Sequence, residues 1–346
     1  GTRQIAAVAP GTIKWVFTLA DQVDLPLAVA ADGTLYAAAA DAVLYALDRE
    51  GEQDWTFATE NNDIFTTGPL AGADGSIYIV AASTKIYALT ASGADKWDGP
   101  SPLLPGNITA PLVQGADGTV YVHDGDSLDL YALDPLTGIG ESTFTALPGV
   151  AQAPVIGSDG TIYVVDGSDM LYLVPPAEGL GGAVSTDVSG ISVPLAAGPD
   201  GLIYLVKDNY DLYALNPDAT QKWGPYTMPF VVPVAPVTGA DGAAYIYDVN
   251  LTLHRVSSAT GSGSAFGDLS ALSNDPVPGP DSLVYLVDGG TDLYAMRPDG
   301  SVMWGPLTVP GGASLMVAPV ISRDGTLYFA ADDNRIYAVY ATSALP

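Results

Sequence analysis

The chain has 346 residues, and 48% of them are hydrophobic, which is enough to bury a sizeable core. It carries 39 Asp and Glu against 11 Lys and Arg, and the net charge of −28 disfavours nucleic acid and anionic membrane surfaces, since both attract clustered cations. Cysteine is absent, which excludes disulfides, thiolate metal sites and catalytic thiols, and no apolar run reaches the roughly 18 residues of a membrane-spanning helix.

The first predicted element is residues 11–19, GTIKWVFTL, which contains Trp15. The same Gly-then-Trp spacing returns later in GEQDWTF, GADKW and GSVMW, each time behind a longer repeated pattern. Residues 11–19 therefore have the sequence of the last strand of a repeat whose earlier strands do not precede it.

Eight copies of one motif follow, each with an Asp, usually before Gly, and a Tyr four residues later. The Asp residues are Asp32, Asp74, Asp117, Asp159, Asp200, Asp241, Asp281 and Asp324. A proline lies five or six residues before each Asp, and a second aromatic, replaced by His254 in the sixth repeat, lies thirteen or fourteen after it. The regular spacing from one Asp to the next is typical of four-stranded propeller blades, which take about 40–45 residues each.

Each repeat predicts four short strands. The proline suits the first residue of a strand because it has no N–H to donate, and Asp-Gly suits a tight hairpin turn. A lone four-stranded sheet cannot bury both faces, so successive repeats must stack. The sequence predicts an all-β chain that forms an eight-bladed β-propeller of four-stranded antiparallel blades, as a single domain over residues 1–346.

The end of the chain explains its beginning. Trp55, Trp97, Trp223 and Trp304 all lie at one fixed distance after the Asp of their repeat, and the same distance counted from Asp324 passes the end of the chain. The eighth repeat therefore lacks its fourth strand, and we expect residues 11–19 to supply it. This pairing closes the ring without leaving an exposed edge, and it leads us to expect a complete domain.

The turns between second and third strands are rich in aspartate. We call the edge of the ring that carries these turns and the blade-to-blade loops the loop rim, and the opposite edge, with the Asp-Gly turns, the hairpin rim. The turn aspartates are Asp41, Asp124, Asp126, Asp129, Asp166, Asp169, Asp208, Asp211, Asp248, Asp288, Asp292, Asp332 and Asp333.

Three interpretations of the acidic loop rim stay open. The aspartates keep an otherwise apolar protein soluble. Alternatively they dock a protein with a basic surface, and the predicted contacts are then Asp166, Asp169, Asp208, Asp211, Asp288, Asp292, Asp332 and Asp333. In the third interpretation DGDSLD binds Ca²⁺ through Asp124, Asp126 and Asp129, because hard cations prefer carboxylate oxygens.

One blade-to-blade segment, GPYTMPFVVPVAP, is unusually apolar. If Tyr226, Met228 and Phe230 are exposed on the loop rim, they form a contact patch for a partner, since aromatic residues and Met are enriched in interfaces. The alternative is that Phe230 and Val231 begin the next inner strand and are buried.

Catalytic residues are not evident in the sequence. Its two histidines, His123 and His254, lie at unrelated repeat positions, which disfavours a histidine metal site or a Ser-His-Asp relay. His254 occupies an aromatic position and is interpreted as a packing residue. No phosphate-binding, dinucleotide or zinc-protease motif is present, and we expect a protein that is not an enzyme.

The pattern YALDxxxGxxxW resembles the PQQ-like, or quinoprotein-type, β-propeller repeat family. The clearest matches run from Tyr45 through Gly51 to Trp55 and from Tyr87 through Gly93 to Trp97. The resemblance implies that each Trp docks against the neighbouring blade. The family includes dehydrogenases that bind pyrroloquinoline quinone with Ca²⁺ and non-enzymatic scaffolds similar to the eight-bladed lipoprotein of outer-membrane assembly. Near-minimal repeats and the absence of cysteine favour the scaffold branch.

These observations predict a non-catalytic propeller that acts as a rigid scaffold for another protein through its acidic loop rim, as a monomeric domain without a cofactor. The resemblance implies export to the periplasm, the cell surface or the extracellular space. A quinoprotein-like propeller that binds a cofactor or Ca²⁺, and a glycan-binding propeller, are the alternatives.

Overall fold

The computed structural model describes residues 9–59, 61–100, 106–108, 110–126, 129–143, 152–174, 184–266 and 272–342, with only the backbone of 141–143. Within these residues, eight antiparallel sheets of short strands follow one another in a ring. The predicted eight-bladed propeller is confirmed. The helical content of the described chain is one 3-10 turn, Pro310–Gly312, and no helix there is long and apolar enough to cross a membrane.

We number the blades 1 to 8 in the order of the repeats. The inner strands follow the repeated prolines and are two residues long: β2 (Ala28–Val29), β6 (Leu70–Ala71), β9 (Val113–Gln114), β13 (Val155–Ile156), β17 (Ala196–Ala197), β21 (Val237–Thr238), β25 (Val277–Pro278) and β29 (Val320–Ile321). The second strands are β3 (Leu35–Ala38), β7 (Ile77–Ala81), β10 (Val120–His123), β14 (Ile162–Val165), β18 (Ile203–Lys207), β22 (Ala244–Tyr247), β26 (Val284–Asp288) and β30 (Thr326–Ala331).

The third strands are β4 (Val43–Leu47), β8 (Lys85–Leu89), β11 (Leu130–Leu133), β15 (Leu171–Val174), β19 (Asp211–Leu215), β23 (Leu253–Val256), β27 (Asp292–Met296) and β31 (Arg335–Tyr340). The outer strands are β5 (Gln53–Ala58), β12 (Gly140–Thr143), β16 (Val184–Ser185), β20 (Gln221–Thr227), β24 (Gly263–Ala265), β28 (Val302–Thr308) and, in blade 8, β1 (Thr12–Thr18). In blade 2 the outer position is reduced to a bridge between Leu89 and Asp95.

The ring closes as the sequence predicts. Strand β1 pairs antiparallel with β31 and places Trp15 opposite Ala338. The inner strand β2 packs beside both β6 and β29, so the first and last blades are neighbours. The N-terminal segment therefore completes the blade formed by the end of the chain.

The core lies between blades. Second-strand tyrosines such as Tyr36 and Tyr204 are fully buried, because they face the adjacent blade instead of the solvent. One cluster joins Tyr36 and Leu44 of blade 1 to Ile77 and Tyr87 of blade 2, and similar clusters recur around the ring. Burying each such side chain contributes about 1.5–3 kcal/mol, so the stacked blades stabilise one another.

The tryptophans fasten neighbouring blades on the hairpin-rim side. Each indole N–H donates to a backbone carbonyl just after the third strand of the next blade: Trp15 to Arg49 (2.8 Å), Trp55 to Ala91 (2.9 Å), Trp97 to Pro135 (3.1 Å), Trp223 to Ser258 (2.7 Å) and Trp304 to Ala341 (2.7 Å). In blade 8 the fourth strand comes from the N-terminal segment, and in the other four blades this carbonyl lies in the third-to-fourth turn. Gly51, at φ 86°, shows why this turn needs glycine, since a Cβ there would lie 2.6 Å from the Trp15 ring.

Candidate functional site

Three large apolar side chains are exposed together on the loop rim of blades 5 and 6. Tyr210, Phe230 and Val249 are 42%, 47% and 53% exposed. Tyr210 lies in the turn after β18, Phe230 in the loop between the blades and Val249 in the turn after β22. We call these three residues the blade 5–6 patch.

Backbone hydrogen bonds hold the patch together. The loop between the blades donates from Met228 N to Tyr210 O and from Val232 N to Asn209 O, both at 2.8 Å. The turn of blade 6 donates from Val249 N to Val231 O at 2.9 Å. The loop is thus tied to both flanking turns, and the exposed side chains stand on a preorganised backbone.

Buried side chains anchor the same loop from below. Met228 and Val232 are 2% and 1% exposed and pack into the core between blades 5 and 6. Tyr226, half-buried, places its hydroxyl 2.9 Å from Nδ1 of His254. The loop is therefore a packed part of the fold rather than a loose connection.

The structure corrects the predicted set of apolar contacts. Met228 is buried and is not a surface contact, and Tyr226 is directed to His254. Phe230 is exposed on the loop rim, so the alternative that it begins the inner strand is wrong, because that strand is Val237–Thr238. The geometry of β20 explains the difference: an irregularity in its pairing with β19 brings Tyr226 to the same face as the buried Trp223, and Met228, two residues further on, continues that face against blade 6.

Carboxylates border the patch. Asp208 is exposed, and the half-buried Asp211 accepts a hydrogen bond from Thr227 Oγ1 at 2.6 Å. The neighbouring cation, Lys207, lies with its Nζ 5.6 Å from the centre of the Tyr213 ring. The surroundings of the apolar side chains are therefore mainly negative.

Some rim aspartates are interior residues. Asp124, Asp166 and Asp248 are 0%, 1% and 0% exposed. Asp166 Oδ1 accepts the backbone N–H groups of Ser168 and Met170 at 2.8 and 2.9 Å, which fixes its turn. Asp166 is therefore not an exposed partner contact, contrary to the interpretation from sequence. Its buried carboxylate instead accepts hydrogen bonds from the backbone of its own turn.

The remaining predicted rim contacts lie at or near the surface. Asp169 and Asp332 are exposed like Asp208, while Asp288, Asp292 and Asp333 are half-buried like Asp211. Asp292 accepts from Thr308 Oγ1 at 2.7 Å, and Asp333 forms an ion pair with Arg335 at 3.3 Å. The other loop-rim ion pair of the described chain joins Lys85 and Asp63, so cations neutralise few of these carboxylates.

The three carboxylates of the predicted calcium site do not converge. Asp124 Oδ1 accepts the N–H of Asp126 at 2.9 Å, and Asp126 Oδ2 accepts from Asn107 Nδ2 at 2.9 Å. Asp129 contributes its backbone carbonyl to the N–H of Asp124, again at 2.9 Å. No group of three or more His, Asp or Glu among the described side chains is arranged to hold a metal ion. Calcium binding stays a prediction.

A small titratable cluster lies beneath the patch. His254 is 6% exposed, and burial lowers its pKa while the nearby Asp248 opposes that shift. Asp248 Oδ1 accepts the N–H groups of Asn250 and Thr252 at 2.9 and 3.2 Å. His254 lies in the third strand, in contact with the Tyr226 ring, so its interpretation as a packing residue is confirmed.

Comparison with known proteins identifies the family. A profile described as outer membrane protein assembly factor BamB matches residues 1–219. The chain belongs to the BamB family. The structure of BamB from Moraxella catarrhalis is similar, with a TM-score of 0.70 and 17% identity over 95% of this chain and 99% of that chain. The resemblance to PQQ-like repeats is thereby confirmed.

Other solved structures share the fold of this BamB-family chain. Virginiamycin B lyase from Staphylococcus aureus matches with a TM-score of 0.58 and 12% identity over 96% of this chain and 99% of that one. The computationally designed Ika8 protein matches with a TM-score of 0.72 and 13% identity, over 93% and 97%. No curated protein sequence matches the chain. These identities show the fold alone, and a fold shared by an assembly factor and a lyase does not decide whether the chain is an enzyme.

Sequence reasoning missed Tyr210 and Val249. Both lie in turns, KDNYD and DVN, whose aspartates dominate the interpretation from sequence. A large apolar residue in a polar turn is a signal of its own, because such a residue cannot easily reach the core from there. Their contact with the loop of Phe230 depends on the packing of two blades and is not visible in the sequence.

Proposed function

We propose that this BamB-family chain is a non-catalytic scaffold, exported from the cytoplasm, which acts as one domain over residues 1–346 and binds a partner protein through the blade 5–6 patch. Membership in a family named for an assembly factor supports a scaffold. The observation that carries the proposal is the exposure of Tyr210, Phe230 and Val249 on loops fixed by hydrogen bonds. Exposed apolar groups held in one place mark interaction sites.

The charge around the patch defines the partner. A segment with apolar anchors flanked by Lys or Arg fits, because the anchors cover the patch while the cations approach Asp208 and the loop-rim carboxylates. Apolar burial supplies most of the affinity, and the carboxylates raise the association rate in a salt-dependent way.

Site-directed photo-crosslinking in the cell envelope tests the proposal. A photoreactive residue at Phe230 should capture a protein, and one at Leu136, which is 74% exposed on the hairpin-rim turn of blade 3, should not. With the captured protein purified, Tyr210→Ala combined with Phe230→Ala should weaken binding at least tenfold. The control pair Leu136→Ala and Ile139→Ala removes similar exposed apolar area. Equal loss in both pairs, or none in the patch pair, contradicts the proposal.

The proposal includes no resident cofactor. Native mass spectrometry of the untagged chain, with and without a chelator, tests this. We expect the mass of the bare chain. Excess mass that a chelator removes would indicate bound Ca²⁺ and contradict the proposal. An adduct of cofactor size would indicate a quinoprotein-like propeller that binds a redox cofactor.

A further inference from the structure

The junction between blades 6 and 7 differs from those that a tryptophan fills. We use seam for the contact between the outer strand of one blade and the third-to-fourth turn of the next. In tryptophan-filled seams the ring lies beside a small residue of its own third strand: the cross-strand pairs are Ala46 with Trp55, Ala214 with Trp223, Ala295 with Trp304 and Ala338 with Trp15. Alanine leaves the space that the indole occupies.

In blade 6 both members of this pair are exchanged. Ser264 stands at the tryptophan position of its repeat, and its cross-strand partner is Arg255. The Arg255 guanidinium donates from Nη2 to Asp241 at 2.5 Å and from Nε to the Tyr245 hydroxyl at 3.2 Å. Arg255 is thus drawn toward the hairpin turn of its own blade and leaves the seam partly open.

A cavity of about 320 Å³ occupies this seam. Its lining includes Arg255, Ser264 and Phe266 from blade 6 and Pro298 and Asp299 from blade 7. Phe266 is 4% exposed and its ring centre lies 5.5 Å from that of Tyr245. The cavity therefore lies between Arg255 and Phe266 of blade 6 and Pro298 of blade 7, and its volume is at the lower end of the size range of small-ligand sites.

Blade 7 has, at the equivalent repeat positions, the carbonyl and the glycine that contact the indole in the tryptophan-filled seams. By repeat position Pro298 corresponds to Arg49, whose carbonyl accepts the N–H of Trp15, and Gly300, at φ 83°, corresponds to Gly51. Within the described chain, the carbonyl of Pro298 accepts no hydrogen bond. Pro298 lines the cavity, and its repeat position is that of the acceptor in a filled seam.

The seam between blades 4 and 5 shows that the acceptor is satisfied elsewhere without tryptophan. There the hydroxyl of Tyr163 donates to the carbonyl of Pro217, at the equivalent position, over 2.8 Å. In blade 6 the equivalent tyrosine, Tyr245, accepts from Arg255 instead. Ser264 in place of tryptophan accounts for the open space, and the Arg255 contact with Tyr245 accounts for the absence, among the described residues, of a donor to the Pro298 carbonyl.

We propose that the seam between blades 6 and 7 binds an indole-type aromatic ring that carries an N–H donor. The ring lies between Phe266 and Pro298 with the Arg255 guanidinium nearby, and its N–H donates to the Pro298 carbonyl. Aromatic packing and the cation–π contact favour such a ring. A tryptophan side chain of another polypeptide and a small indole share this chemistry. The site is separate from the blade 5–6 patch, which lies on the loop rim.

Fluorine NMR of 5-fluoroindole with the full chain tests the site without interference from the protein's tryptophans. We expect a saturable shift with the wild type. Arg255→Ala combined with Ser264→Trp rebuilds the Ala–Trp pair and fills the cavity from within, so it should weaken binding at least tenfold. Ser264→Ala leaves the cavity open and should bind as the wild type does. No saturable shift with the wild type, or undiminished binding by the double variant, overturns the proposal.

Further probes separate the parts of the inference. 1-Methyl-5-fluoroindole lacks the N–H and should bind more weakly; equal binding overturns the role of the Pro298 carbonyl. N-acetyltryptophanamide should compete with 5-fluoroindole if a polypeptide supplies the ring, and failure to compete assigns the site to small indoles. Ser264→Leu serves as a second blocking variant if the double variant does not fold. The patch variants should bind 5-fluoroindole normally, which keeps this test independent of the proposed function.

Discussion

Neighbouring aspartates of one loop-rim turn have different physical roles. Asp166 is buried and accepts two backbone N–H groups through one oxygen, whereas Asp169, three residues later in the same turn, is exposed. The number of acidic residues in the sequence does not distinguish these two aspartates. The acidity of the rim therefore combines carboxylates that build turns with carboxylates that a partner can reach.

Asp166→Ala should lower the free energy of unfolding by about 1–3 kcal/mol, because it removes the buried acceptor of two partly buried backbone N–H groups. Asp169→Asn removes the same charge and keeps a residue tolerant of the left-handed backbone found there, at φ 59°. It should change the free energy by no more than about 0.5 kcal/mol. Urea unfolding of both variants measures the difference, and equal effects would show that charge alone matters in this turn.

At the scale of elements, the N-terminal strand β1 is as much a part of blade 8 as the strands beside it. Trp15 packs 5.6 Å from the ring of Tyr328 and donates to the carbonyl of Arg49 in blade 1. One side chain thus links the beginning of the chain, the last blade and the first blade. The stability of the ring should depend on it.

Trp15→Ala should accordingly lower the free energy of unfolding by about 2–4 kcal/mol, since it removes a large, partly buried ring and a hydrogen bond between blades. Val16→Ala, on the same strand with 45% exposure, should cost under about 1 kcal/mol. Thermal and urea unfolding followed by circular dichroism provide the measurement. Similar costs for the two variants would mean that β1 contributes through backbone pairing alone.

The elements were predictable because the repeat determines them. A regular period, an Asp-Gly turn and a tryptophan at a fixed distance specify the strand order, and the shortfall after Asp324 specifies ring closure. The surface was less predictable. Phe230, Tyr210 and Val249 come together through hydrogen bonds between two blades, and Met228, directly after β20, lies on the inward face with Tyr226. Neither the hydrogen bonds between blades nor the inward orientation of Met228 can be predicted from the sequence of a single repeat.

On the scale of the whole molecule, charge and packing oppose each other. The core between blades is apolar, while the chain has a net charge of −28. The described side chains form four ion pairs, Lys85–Asp63, Lys96–Asp74, Arg255–Asp241 and Arg335–Asp333. Most carboxylates therefore repel one another around a compact ring, and this repulsion destabilises the folded state.

Salt should consequently stabilise this protein. The screening length falls from about 30 Å at 0.01 M salt to about 8 Å at 0.15 M, which removes repulsion across the rim but leaves hydrogen bonds at the turns largely intact. We expect the midpoint of thermal unfolding to rise between these NaCl concentrations. Asp208→Asn combined with Asp332→Asn removes two exposed loop-rim charges, so it should raise the midpoint at low salt and reduce the further gain from NaCl. A midpoint that falls with NaCl would mean that the ion pairs and turn carboxylates outweigh the repulsion, and the acidic rim would then act as a stabilising network in its own right.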